Sequence, residues 1–291
     1  MKDWPAYNKS LIKRGEILFS FDFLHLWDKE LEKMNHRKVG RHYSYPNLFI
    51  LALSYVKNYF NLPYRQTEGV IKAVGKELPD HSSYSQMCRR INQLNIKFDY
   101  ESKKNEDDCV VIAMDSTGIK ITNRGQWLRD KWNVKKKGYL KIHLAVNTKT
   151  KEILSLEVTD EKVHDSKVMR KLVSNTESKG IKIRGAFADG AYDTNANFKY
   201  LSSKQIQPMI RVRKNAVVSK RNYSSRNKAV LLQQQKDWKK EIDYGKRWIA
   251  ETVLSTLKRM FGEYVSAVQF NNMVKEMMVR VSLYNLFRNM A

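Results

Sequence analysis

A chain of 291 residues is long enough to bury a sizeable core and to hold one main domain with an accessory one. Its 54 Lys and Arg against 30 Asp and Glu leave a formal net charge of +24, which points to a polyanionic partner, nucleic acid before any other. With 42% hydrophobic and 11% aromatic residues it is no disordered polyelectrolyte. The two cysteines, Cys88 and Cys109, lack zinc-site spacing and suggest no disulfide framework, as in a reducing cytosol. The start Met1-Lys2-Asp3-Trp4-Pro5 does not read as a secretory leader. The longest apolar run, around Leu48 to Val56, is too short to span a bilayer, and a cytoplasmic protein is expected.

Residues 1–100 read as mostly helical, with apolar residues at helical spacing over Ile17 to Leu31 and Tyr45 to Phe60. Pro63 suits the first turn of a helix running to about Val74, which Gly75 then breaks. The segment Pro79-Asp80-His81-Ser82-Ser83 offers an N-cap for a second helix over about 84–94. This pair, over 62–94, resembles a helix-turn-helix whose second member exposes Ser85, Gln86, Arg89 and Arg90. Simple packing of two short helices is the alternative.

A charged linker, Glu101 to Asp108, precedes a change of pattern. Strand-like runs follow at 109–114, 117–122, 138–146 and 152–159, the last two alternating as an antiparallel pair turned at Asn147-Thr148-Lys149-Thr150. The pattern then predicts a helix over 165–178, a strand at 183–188, a helix at 194–203 and a strand at 208–212. Three antiparallel strands, a helical crossover and further strands with helices between them are the order of an RNase H-like fold, an α/β mixed sheet flanked by helices. A basic insertion at about 213–243 interrupts it; across 204–248, 13 Lys and Arg face 3 Asp and Glu. Two helices, 246–261 and 272–289, close the chain. The expected domains are a helical region for DNA binding or dimerisation, 1–105, and a catalytic domain, 106–291.

Three carboxylates stand out. Asp115 follows the apolar run Val110-Val111-Ile112-Ala113-Met114, and Asp189 ends Ile183-Arg184-Gly185-Ala186-Phe187-Ala188. Glu251 lies on the helix that starts near Lys246. In an RNase H-like core two strand-borne aspartates and a helix-borne glutamate can converge. Hard oxygen ligands suit Mg²⁺ or Mn²⁺, and two such ions would activate an attacking hydroxyl and stabilise a leaving oxygen. Any one of these acids alone would read as a surface or capping residue.

The resemblance becomes specific at Tyr244, Arg247, Glu251 and Lys258, which match the Tyr-x2-Arg-x3-Glu-x6-Lys signature of DDE-type insertion-sequence transposases. Asp115-Ser116-Thr117 and Asp189-Gly190-Ala191-Tyr192 resemble that family's first and second acidic motifs, and Arg211-Val212-Arg213-Lys214-Asn215 is similar to the basic region that follows them. The similarity spans roughly 40–290, within the insertion-sequence-four and -five superfamily, on its five-like branch. It implies a DNA transposase whose Asp115, Asp189 and Glu251 hold two Mg²⁺ or Mn²⁺ ions. Transposon ends are cut by water and the freed 3′-hydroxyl attacks target DNA. It also implies a DNA-bridged homodimer or larger assembly, nucleoid-associated in a prokaryotic cytoplasm. A nuclease of the same fold without strand transfer, or a domesticated DNA-binding protein, are the alternatives.

Arg247, four residues before Glu251, and Lys258, seven after it, can share one helix face and grip DNA phosphates. Arg247 could equally form a surface ion pair with Glu251. Tyr244, Arg211, Arg213, Arg89 and Arg90 complete the expected DNA contacts; Tyr244 could instead pack the helix start. Trp248 reads as a core anchor rather than a base-stacking platform. His164-Asp165 recurs as a pair in related transposases and is given a supporting role, although Asp165 could merely cap a helix. Lys135-Lys136-Lys137 reads as a loop touching DNA backbone. Lys141 and His143 share a strand face without an assigned catalytic role.

Overall fold

The computed structural model describes residues 3–75, 78–96, 109–121, 138–218 and 224–290. The charged linker 101–108, the Lys135-Lys136-Lys137 run and residues 219–223 of the basic insertion lie outside them. By their contacts the residues group into two units, 1–97 with 267–291, and 98–266.

The first unit is helical. Asp3 caps α1 (Trp4–Leu18), its carboxylate accepting from Ala6 N at 3.1 Å, with Pro5 in the first turn. The helical reading of Ile17 to Leu31 is interrupted. At Ser20 the hydroxyl takes the Asp22 N–H at 3.2 Å, a local bond that competes with the helical ladder. The chain passes through a 3₁₀ turn, Asp22–Leu26, into α2 (Trp27–Asn35). Next come α3 (Asn47–Tyr59), α4 (Tyr64–Val74) and α5 (Tyr84–Gln93). Pro63 precedes the first turn of α4, and Ser83 with Gln86 forms a reciprocal capping box on α5. Gly75 ends α4 where nothing larger fits: a Cβ there would lie 2.7 Å from the Ile71 carbonyl oxygen.

The core of this unit holds Phe49, Ile50, Leu53 and Met87, with Trp27 and Phe49 ring centroids 5.0 Å apart. By its contacts the last helix of the chain, Phe270–Asn289, groups with this unit. It is buried on nearly every side, so it needs an enclosing partner, and α3 supplies one. Tyr55 and Ser282 hydroxyls meet at 2.7 Å, and buried Arg280 bonds Glu276 at 2.6 Å.

The second unit is built on a mixed sheet. Its strands are β1 (Val110–Ile121), β2 (Tyr139–Asn147), β3 (Ile153–Asp160), β4 (Ile183–Ala188) and β5 (Gln207–Ile210), in the order β3-β2-β1-β4-β5. β1, β2 and β3 are antiparallel, whereas β1–β4 and β4–β5 are parallel. This is the RNase H-like arrangement. The two runs expected at 109–114 and 117–122 are one strand, because β1 pairs with β2 without a break from Ile112 to Lys120. Asn147 builds the β2–β3 turn by accepting from Lys149 N and Thr150 N.

Helices α6 (Asp165–Glu177) and α7 (Asn195–Ser203) pack on one face, over Ile112, Met114, Ala186 and Ala188. The basic insertion contributes α8 (Ser225–Gln233) and the short α9 (Trp238–Glu241). A 3₁₀ turn, Tyr244–Arg247, leads into α10 (Trp248–Phe261), which packs on β1 and β2. A two-residue strand unforeseen in the sequence, β6 (Tyr264–Val265), pairs with the far end of β1.

Candidate active site

Strand parity places the acids. The parallel register pairs Ala113 with Phe187, so Asp115 and Asp189, two residues further along each chain, come level on the same face of neighbouring strands. Ala113 and Phe187 lie on the face opposite the α6–α7 layer, and Phe187 meets the Tyr244 ring there at 6.3 Å. Glu251, on the first turn of α10, and Asp115 line one open cleft of about 410 Å³, together with Ser116, Thr117, Lys258 and Arg259.

Asp115 is mostly buried, and its Oδ1 accepts the Ser116 N–H at 2.9 Å. Burial pushes its carboxyl up to about 6; the Ser116 N–H and Arg247 oppose this, while the nearby Asp189 and Glu251 carboxylates add to it. Asp189 turns its Oδ1 to Ala191 N at 2.9 Å, forming the cap of the turn Gly190–Tyr192. Asp115 lies within electrostatic reach of both Asp189 and Glu251 and is itself pushed toward its neutral form, and carboxylate oxygens are the donors a hard divalent cation takes. Among the described residues no three such side chains are drawn close enough to hold an ion as they stand. Between two of them lies a guanidinium: Arg247 Nη1 is 3.7 Å from Asp115 Oδ2, and Nη2 bonds Glu251 Oε1.

The other expected residues divide. Lys258 lines the cleft and faces it with Arg259. Arg211 and Arg213 are exposed beside the turn after Asp189, Arg213 Nε donating to the Gly190 carbonyl at 3.4 Å. Tyr244, expected at DNA, is buried. Its hydroxyl donates to the Ala188 carbonyl at 3.1 Å and its ring packs on Trp238 at 5.0 Å, so it braces the strand end that carries Asp189. Trp248, expected in the core, is 54% exposed on the first turn of α10.

In the helical unit Arg89 is exposed, whereas Arg90 is committed internally. Its guanidinium donates to the Tyr45 carbonyl at 3.0 Å and Asn47 Oδ1 at 2.9 Å, and lies over the Tyr43 ring. His164 precedes α6 as an exposed residue whose side chain makes no capping bond.

The transposase DDE domain model matches residues 107–286, and a second model of the same description matches 12–124. The chain belongs to the DDE transposase family. It is therefore a DNA transposase, an enzyme of a class generally dependent on divalent metal. Similar solved structures include a piggyBac transposase synaptic complex with hairpin DNA, at 10% identity and TM-score 0.43, covering 94% of this chain and 73% of that one. A Drosophila P element transposase strand transfer complex aligns at 10% identity and TM-score 0.36, covering 90% and 69%. No helix among the described residues is long and apolar enough to cross a membrane.

This transposase also gathers Lys141 and His143, which carry no expected catalytic role, around Asp165 in a buried group. Ser116 pairs with His143 and Gly118 with Lys141 across β1–β2, so His143 and Lys141 sit on the sheet face turned away from Asp115. There Asp165, on the first turn of α6, lies 2.6 Å from Lys141 Nζ and 3.3 Å from His143 Nδ1. His143 is fully buried, and its Nε2 meets Thr159 Oγ1 at 2.9 Å. Burial would raise the Asp165 carboxyl, yet the bonds from His143, Lys141 and Ser116 outweigh it and hold it at about 2. Tyr192 is buried nearby, its hydroxyl pushed well up by burial and by Asp165, Asp115 and Asp189. The alternation of Lys141 and His143 was visible in the sequence; the register that sets Ser116 between them and Asp115 was not.

Proposed function

We propose that this transposase cuts the ends of its element and joins them to target DNA at Asp115, Asp189 and Glu251. The observation that carries the reading is the level placement of Asp115, midway along β1, and Asp189, just past the end of β4, on the face that α10 covers, with Glu251 and Asp115 on one cleft. Asp115, Asp189 and Glu251 would hold Mg²⁺ or Mn²⁺, two ions per site, and these would supply activation of the attacking oxygen and relief of charge on the leaving one. The chain's own groups do the rest. Ser116 N–H fixes one oxygen of Asp115, and the Tyr244 hydroxyl anchors the backbone before Asp189. Lys258 and Arg259 on the cleft, with Arg211 and Arg213 beside Asp189, hold phosphate oxygens and steer the backbone inward. The exposed Trp248 indole, one turn before Glu251, suits stacking on an unpaired base.

In the hydrolytic step water attacks the phosphorus at an element end, the bond to the 3′ oxygen breaks, and a 3′-hydroxyl is freed. In the joining step that hydroxyl attacks a target phosphodiester and a new 3′-hydroxyl leaves, so the number of phosphodiester bonds is conserved. The helical unit, through α4, α5 and Arg89, holds end DNA or a second copy, and a homodimer or larger DNA-bound assembly brings two ends together. Lys141, His143, Asp165 and His164 support the site from behind. The five-like insertion-sequence branch and a place of work on nucleoid DNA complete the reading. Incubating the protein and Mg²⁺ with DNA carrying the element's ends tests it. Joined products are expected; hydrolysis without joining would leave a nuclease in place of a transposase.

A further inference from the structure

Arg247 stands where a site built for divalent ions should hold a cation. Its Nη1 lies 3.7 Å from Asp115 Oδ2 and its Nη2 is bonded to Glu251 Oε1, so one guanidinium spans the strand-borne and the helix-borne acid. It enters from the residue immediately before α10, and Glu251 follows one turn later; the two are an i,i+4 pair on one helix. The contact is asymmetric. Asp115 is 17% exposed and Arg247 21%, but Glu251 is 53% exposed, so one end of the bridge is open to water and costs little to break. Lys258 and Arg259 line the same cleft without an ion pair to either acid among the described residues.

We infer that Arg247 is the resident counter-cation of the carboxylate cluster, which a divalent ion must displace, and that its release frees a fork of donors for a DNA phosphate. This rests on the reading of Asp115, Asp189 and Glu251 as metal-binding. The physical basis is competition. One delocalised positive charge partly neutralises acids that burial and mutual repulsion otherwise destabilise, and it does so with the same oxygens an ion requires. Once released, the planar guanidinium suits bidentate contact with a phosphate. By linkage, an ion that takes the carboxylates raises affinity for the phosphate that takes Arg247, and the reverse. The opposite arrangement is a permanent strut, in which Arg247 holds Glu251 in place for the ion.

The two arrangements predict opposite signs for Mn²⁺ binding without DNA. Calorimetric titration of Mn²⁺ into wild type, Arg247→Gln and Arg247→Lys decides between them, with Asp115→Asn as the control that marks binding at this site. Displacement predicts that Arg247→Gln binds Mn²⁺ at least ~3-fold more tightly than wild type, the scale of one partly exposed ion pair. Arg247→Lys, whose single ammonium cannot bridge both acids, falls between. Equal or weaker binding by Arg247→Gln overturns the inference. Should that variant not fold, equal or weaker binding by Arg247→Lys overturns it. A wild type with no Asp115-dependent Mn²⁺ binding would overturn the metal reading as well, which separates the two failures.

Discussion

Asp115 is the residue at which burial and chemistry conflict. Its carboxyl, pushed up to about 6 by burial, binds a proton more tightly when folded than when unfolded, where the ordinary value is 3.8. Stability of the metal-free protein therefore falls as pH rises from about 4 to about 6 and stays lower above, by roughly 3 kcal/mol at full effect. Asp115→Asn removes that penalty. Thermal melts in chelator at pH 8 should show the variant more stable than wild type, and an unchanged or lower melting temperature would contradict the account. Asp165 has the opposite sign. Its carboxyl, held at about 2, contributes stability that is present above pH 3.8 and lost as pH falls toward 2, roughly 2 kcal/mol in all. Asp165→Asn should be less stable than wild type at pH 7 and should lose less between pH 4 and pH 2, as acid titration of the unfolding free energy would show.

At the scale of elements, the strands and helices exist to aim these groups. Parity along β1 gives Met114 and Ser116 to the α6 face and Asp115 to the α10 face, so one strand serves the core and the site. The turn after Asp189 is tied to α8 by Asp193, whose fully buried carboxylate takes Arg226 Nε at 2.6 Å and Nη2 at 2.9 Å and the Arg213 N–H at 3.0 Å. Asp193→Ala leaves Arg226 uncompensated and should cost about 3–5 kcal/mol in denaturant unfolding; a loss below about 1 kcal/mol would show that the tie is incidental.

The order of these elements was legible, because alternation in β2 and β3 and helical spacing in α6, α7 and α10 are local signals. Asp115, Asp189 and Glu251 stood out through the family signature more than through position: Asp189 follows the end of β4 and Glu251 lies on the first turn of α10, but Asp115 sits midway along β1. What local pattern could not carry was pairing. The β1–β2 register decides that His143 and Lys141 back the site, burial decides that Tyr244 faces the protein, and enclosure by α3 decides where the last helix belongs. Trp248 went the other way. An apolar residue on an amphipathic helix was assigned to the core, and the structure leaves it exposed beside Arg247.

For the whole molecule the net charge of +24 sets the terms of binding. With several Lys and Arg on phosphates, the observed DNA association constant should fall linearly with salt on logarithmic axes, with a slope of about −0.9 for each phosphate contact. Lys258→Ala should reduce that slope by about 1 and weaken binding across sequences. A slope near zero in a filter-binding titration would remove electrostatics from the account.

Central to it is that three carboxylates, two from neighbouring strands and one from α10, act as one metal-dependent site on DNA. The direct test is end cleavage in Mg²⁺ by purified Asp115→Asn, Asp189→Asn and Glu251→Gln, with end binding measured in parallel. Each variant is expected to bind end DNA and to cut none of it. Cleavage at the wild-type rate by any one of the three would contradict the account.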